Sequence, residues 1–510
     1  MVIKVTSANS IGLTVHKILV EADVTNSLPQ IVIVGLGDTA VSEAKERLKL
    51  AIKNSGYSFP NTKVVINLAP ANLKKEGVIY DLAMAVGILG KEKIIQNVPN
   101  NIAFLGELSL DGSIRPVNGV LAIVSELKNF GIDKVIVPYE NLSEASFADD
   151  IEIYGARNLI EVVEFLNNNQ KLKQLKQNVD DFLNADYEFE NDFKDIKGQS
   201  QAKMALEIAA AGGHNVLMSG SPGSGKTMLA RAFVSILPPL TKEEAIELTK
   251  IYSIAGLLDS KTPLITKRPF RSPHHSASSV GITGGGSIPK PGEITLAHRG
   301  VLFLDEMPEF QRTVLEVLRQ PLEENFVTIS RIQNTIKYPA NFILIGAMNP
   351  CPCGFLGDKK KACTCSEFQI NRYKGKLSGP LLDRIDIQIN VQRLDDEELL
   401  NMKNDGETSD IIRKRVIAAR KIQLERYKND NIYTNSELTP KLIKKYCKID
   451  DEIKALLKGA INRFNLSARS YDRLLKISRT IADLDGSDDI KQEHIIKALT
   501  FRGLNYFIYN

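Results

Sequence analysis

The run GSPGSGKT at 220–227 constrains this chain more than any other stretch. It fits G-x-x-x-x-G-K-[ST] and stands between NVLMS, a short apolar β-type run, and MLARAFVSIL, which has helical spacing. A strand that turns through glycines into a helix aims backbone N–H groups and the positive helix end at one point. That geometry cradles phosphate oxygens. Gly220, Ser221, Pro222, Gly223, Ser224 and Gly225 would form the cradle, with Lys226 reaching the β and γ phosphates and Thr227 giving a hydroxyl to Mg²⁺. The residues around it predict an α/β block with a parallel sheet.

Two further strand ends complete the chemistry of ATP hydrolysis. VLFLDE, 301–306, is an apolar run ending in two acids, about 80 residues downstream of the loop. Asp305 is placed to hold Mg²⁺ through water, and Glu306 to polarise the attacking water as general base. FILIGAMNP ends at Asn349, a polar residue suited to hold that water or read the γ-phosphate; alone it would be an ordinary Asn-Pro turn. Phosphate loop, acid pair and then Asn, at spacings of about 80 and 45, is the order found in AAA+ ATPases.

With 510 residues the chain has room for about three domains. Residues 1–166 alternate β-type runs (IVIVGLG, KVVINLAP, KVIVPYEN) with a helical run in which Val41, Ala44, Leu48 and Ile52 share one face, stopping at Gly56. A polar stretch, 167–193, reads as a solvated linker with a short helix. The ATPase block covers 194–393, and amphipathic helices dominate 394–510. No run reaches the roughly 18 apolar residues of a membrane span, and the N-terminus breaks into Ser and Asn before a signal core forms, which points to the cytosol. A formal charge of +4 gives no global basic field, so any contact with nucleic acid must come from local clusters.

Four of the five cysteines fall within 351–365 as C-x-C-x₉-C-x-C. Four thiolates suit tetrahedral, structural Zn²⁺, with Cys351, Cys353, Cys363 and Cys365 as ligands and Lys359, Lys360 and Lys361 offsetting their charge. A reduced thiol cluster is the alternative. Cys447 reads as a buried spare.

KGQSQAK, FRSPHHSAS, GGGSIPKPGEITLAHRGVLFLDEMPEF, PANFILIGAMNPCPCG and SGPLLDRIDI together resemble the magnesium-chelatase-like AAA+ proteins of the ComM/YifB type. The resemblance implies a ring-forming ATPase, a homo-hexamer, linked to DNA branch migration during recombination of incoming DNA. It places Arg384 of SGPLLDRID as an arginine finger reaching a neighbour's ATP, where such fingers contribute roughly 10³–10⁵ in rate. It makes ARSYDRLLKISRT a lid helix, with Arg469 as the γ-phosphate sensor and Arg473 the next candidate. Segments holding Arg271, His274, His275 and Gly284 to Gly286 are similar to loop insertions facing the ring's pore. Lys290, with Arg331 and Lys337 near the tip of a second hairpin, would be the DNA-phosphate contacts, unless they are only solvated loop charges.

KKEGVIYDLAMAVGIL and GELSLDGSIRPVNGVLAIVSELKNFGIDKVIVPYEN resemble the proteolytic domain of Lon, a ribosomal S5 domain 2-like α+β fold. Where that family has its Ser and Lys, this chain has Ile79 and, less firmly aligned, Ile123, which can neither attack a carbonyl nor accept a proton. The resemblance leaves one other motor open, a chelatase-type ATPase that helps insert a metal into a tetrapyrrole. No D-x-S-x-S metal-adhesion motif occurs in this chain.

Overall fold

β-Branched runs near the N-terminus assemble one mixed sheet in this computed structural model. It describes all residues except 1, 36, 76, 184–188, 260, 287–288, 331–334, 359, 394–405, 465–466 and 502–510. Strands Ile3–Ile11 and Thr14–Thr25 pair antiparallel, and Lys63–Ala69 then adds antiparallel with Gln30–Val34 parallel outside it. On the other flank Ile102–Phe104, Lys134–Pro138 and Glu152–Ala156 continue in parallel. The helix Thr39–Asn54 starts where the Asp38 carboxylate accepts from Val41 N at 2.9 Å. Val41, Ala44, Leu48 and Ile52 are all buried, as their spacing predicts. Ile79 and Ile123 lie in the same apolar core.

The stretch 167–193 differs from a solvated linker. Lys173–Gln174 adds a short antiparallel strand beside Glu152–Ala156, and Leu172 and Val179 are buried in the front core. Leu175 and, from the short helix Val179–Leu183, Phe182 and Leu183 pack against the same core, and the sheet edge beside them offers unpaired backbone groups.

From 216 onward the sheet is parallel throughout. Its order is Phe270–Arg271, Val301–Leu304, Ile343–Met348, Val216–Ser219 and Ile387–Asn390. The three middle strands are nearly continuous apolar runs, which is what a sheet covered on both faces requires. Crossovers in such sheets leave their crevice beyond the carboxyl ends of the strands, so the ends of these strands carry the site. Among the described residues no helix is long and apolar enough to cross a membrane.

The front and the core are not separate beads. Leu240, Ala245, Leu248 and Leu264 of the core belong to the apolar cluster of the front sheet. Gly119 N donates to Ser253 Oγ at 2.9 Å across that boundary, and the buried Glu144 carboxylate accepts from Leu121 N at 2.9 Å and from the Ser253 hydroxyl.

Helices Ser409–Arg426, Pro440–Tyr446, Asp451–Phe464, Ala468–Leu484 and Gln492–Thr500 form the C-terminal part. A buried ion pair fastens it to the core. Arg473 Nη1 donates to Asp386 Oδ1 at 3.0 Å, while His214 lies 3.4 Å from Asp386 Oδ2. Burial opposes charge on Asp386, but Arg473 and then His214 overcome it and hold the carboxyl below the usual carboxylate range. Arg473→Ala removes the guanidinium and leaves the buried carboxylate to Asn215 N and His214, an expected cost of about 3 kcal/mol. Arg469→Ala, at an exposed position, should stay within about 0.5 kcal/mol of the parent. Chemical denaturation of the two variants measures the difference.

Candidate functional site

Strand Val216–Ser219 delivers the loop 220–227 to the carboxyl edge of the sheet, and helix Lys226–Phe233 leaves from it. Gly223 and Gly225 adopt φ of 77° and 92°, a left-handed backbone in which a side chain is strained. Lys226 is 8% exposed, and its Nζ donates to Gly220 O at 2.7 Å, Ser221 O at 3.0 Å and Asn349 Oδ1 at 3.4 Å. Burial pushes its ammonium down from the ordinary value, with Asp305 and Glu306 pulling the other way. Loop, acid strand and Asn349 therefore meet at one point, on three adjacent strands.

Thr227 Oγ1 donates to Asp305 Oδ2 at 2.9 Å. A hydroxyl and a carboxylate that converge this closely are the hard oxygen pair a Mg²⁺ ion takes, so the residues fit that ion. Glu306 adopts φ of 49° and projects an exposed carboxylate, with its backbone N–H tied to Asp305 Oδ1 at 2.9 Å. His275 Nδ1 stands 3.8 Å from Glu306 Oε2, with the His274 ring 4.1 Å from its own. Nothing in the sequence points to this neighbour, because the two residues are 31 apart in the chain. Arg271 is engaged elsewhere, donating through Nε and Nη2 to the Glu293 carboxylate, each at 2.7 Å.

Arg384 is 7% exposed and bound within its own chain, its Nη2 paired with Glu323 and its Nη1 donating to Pro380 O at 2.6 Å. The Glu323 carboxylate is held below its ordinary value by the hydrogen bond from Arg384, and the charge of Arg469 adds to the same effect without a pairing contact. Arg473 is taken up by Asp386. Lys290 is exposed in a short strand, Lys290–Pro291, paired with Gly284–Gly285. The second hairpin is present as Phe326–Ser330 against Thr335–Pro339, but Lys337 pairs with Thr328 along its length, its ammonium 4.7 Å from the Phe326 ring centre. Residues 331–334 and 359, and so Arg331 and Lys359, lie outside the described residues.

The four cysteine sulfurs lie within 4.8 Å of one another, with Cys351 Sγ 3.4 Å from Cys353 Sγ and 3.6 Å from Cys363 Sγ. Zn–S bonds of about 2.3 Å set tetrahedral S–S edges near 3.8 Å, whereas a disulfide needs about 2.05 Å. The donor set therefore fits one tetrahedral ion. Backbone N–H groups of Phe355 and Thr364 bring the Cys353 thiol down to about 5, while the other three thiols are pushed up, Cys351 chiefly by burial. Cys447 is buried apart from the cluster, its thiol pushed up to about 12 by burial.

Residues 192–399 match the family described as magnesium chelatase, subunit ChlI. Residues 20–141 match "subunit ChlI of Mg-chelatase", and 406–502 the ChlI C-terminal family. The chain is 42% identical over 504 residues to competence protein ComM of Haemophilus influenzae, covering 98% of this chain and 97% of that one. It is 41% identical over 497 residues to YifB of Escherichia coli, covering 97% and 96%. Similarity to the magnesium-chelatase 67 kDa subunit of Heliobacterium mobile is 27% over 190 residues, covering 32% and 28%. With its phosphate loop, acid strand and Asn349 in one crevice and its likeness to ComM and YifB running nearly end to end, the chain belongs to the magnesium-chelatase-like AAA+ ATPases of the ComM/YifB type.

Proposed function

We propose that the protein is an ATP-driven ring motor, assembled as a homo-hexamer, that moves branched DNA during recombination of incoming strands. One observation carries the reading: the complete nucleotide crevice sits in a chain similar along 98% of its length to a competence protein. Family membership implies ATP hydrolysis. Lys226 orients the β and γ phosphates, Glu306 takes the proton of the attacking water, and Asn349 holds that water in line. Thr227 and Asp305 would hold Mg²⁺, which would supply positive charge to the phosphate oxygens when bound. Arg384 of a neighbouring protomer adds positive charge at the γ-phosphate, and Arg469 reaches that phosphate from the lid helix. We also propose structural Zn²⁺ on the four cysteines, at close to one ion per chain by elemental analysis.

The metal-insertion alternative has narrower support. The chelatase subunits of Euglena gracilis and Heliobacterium mobile are similar over 31% and 32% of the chain, although the ChlI family models match 20–141, 192–399 and 406–502.

Labelled four-way or forked DNA, incubated with the purified protein and ATP, tests the motor. Strand movement that needs ATP is expected. A hexamer that hydrolyses ATP while no DNA moves or stimulates it would sink the DNA reading. Lys290→Ala with Lys337→Ala should flatten the salt dependence of DNA binding, by about 0.9 in log–log slope for each phosphate that is no longer neutralised. An unchanged slope removes both lysines from the DNA path.

A further inference from the structure

The four-cysteine loop touches the phosphate loop. Cys351 follows Asn349 by two residues, and Asn349 is the acceptor for Lys226 Nζ at 3.4 Å. Gly354, just past Cys353, adopts φ of 84° and lies so close to Pro222 that an added Cβ would come within 2.7 Å of its Cδ. The Asp358 carboxylate accepts from Lys360 N at 2.8 Å and Lys361 N at 3.0 Å, and the first of these bonds, with the nearby Ser221 hydroxyl, holds it below its ordinary value. Thus two successive residues of the phosphate loop, Ser221 and Pro222, have the cysteine loop as their backing.

No described residue of 351–365 is in helix or strand. A segment without regular hydrogen bonding holds its shape through its cross-links, and here the cross-link is the cysteine cluster. We propose that this loop is a clamp: with Zn²⁺ on its four sulfurs it holds Ser221 and Pro222 in the phosphate-binding shape, so metal occupancy sets the affinity for ATP. The proposal rests on the ATPase reading above and adds a second ligand that governs the first. Asp358 acts as a positioning residue, since it joins the two loops without being a sulfur ligand.

The test uses the full chain, a fluorescent ATP analogue with Mg²⁺, and zinc measured per chain. Removing zinc with a chelator selective for it over Mg²⁺ is expected to weaken nucleotide binding roughly tenfold, about the cost of freeing one backbone residue. Zinc added back should restore the affinity. Asp358→Ala should keep its zinc and still bind nucleotide several-fold more weakly, whereas Asp358→Asn, which retains an acceptor, should bind like the parent. A folded, zinc-free protein that binds the analogue as tightly as the zinc form overturns the clamp, as does a chain that never holds zinc. Should the zinc-free chain unfold, Asp358→Ala decides alone, and parent-like affinity there ends the proposal. A zinc-loaded parent that binds no nucleotide defeats the ATPase reading instead.

Discussion

Lys226→Ala is expected to cut ATP turnover by roughly 10²–10³-fold, the loss that follows removal of one preorganised charge donor in a water-poor site. Its ammonium is held by the carbonyls of Gly220 and Ser221 and by Asn349, inside the crevice where the β and γ oxygens would lie. Alanine removes the charge that phosphate needs and leaves those acceptors to water. Binding of the nucleotide should fail together with hydrolysis. Glu306→Gln separates the two, because an amide keeps the shape but cannot take a proton, so ATP should bind and not turn over. Phosphate release measured beside analogue binding distinguishes the variants. Equal turnover in Lys226→Ala and the parent would remove this crevice from the reaction.

The second large effect concerns Arg384. If the guanidinium serves a neighbour's phosphate, as proposed, its alanine variant is expected to lose roughly 10³–10⁵ in turnover while still binding ATP. In the single chain this side chain pairs with Glu323 and with Pro380 O. On the proposed role, assembly would exchange one anion, the carboxylate, for another. Complementation gives the sharper measurement. Mixed rings of Arg384→Ala and Lys226→Ala protomers should recover activity at interfaces where an intact Arg384 meets an intact phosphate loop. If the arginine serves only to fasten Glu323, mixing rescues nothing and Glu323→Gln does the same damage.

What could be read from the residues was whatever depends on neighbours close in sequence. The loop 220–227, the acids after Val301–Leu304 and the four cysteines each carry their chemistry within fifteen residues or fewer. The helix Thr39–Asn54 was legible because Val41, Ala44, Leu48 and Ile52 repeat with its pitch. Partners far apart left no such trace. Asp386 and Arg473 are 87 positions apart, and only the fold shows that Arg473 is spent on this pair while Arg469 stays exposed. Glu323 beside Arg384 and His275 beside Glu306 are of the same kind. Lys337 fell on the wrong part of its hairpin because alternation fixes which face a residue takes, not how many rungs separate it from the turn.

The shared apolar cluster at the front of the molecule has a practical corollary. Helix Lys242–Ala255 presents Ala245 and Leu248 to the front apolar cluster, against helix Val120–Leu127. Cutting the chain ahead of residue 194 would strip that cover and leave a greasy underside on the ATPase, an invitation to self-association. The front sheet is thus a roof bolted to the engine, carried along with the part of the core that bears Ser253.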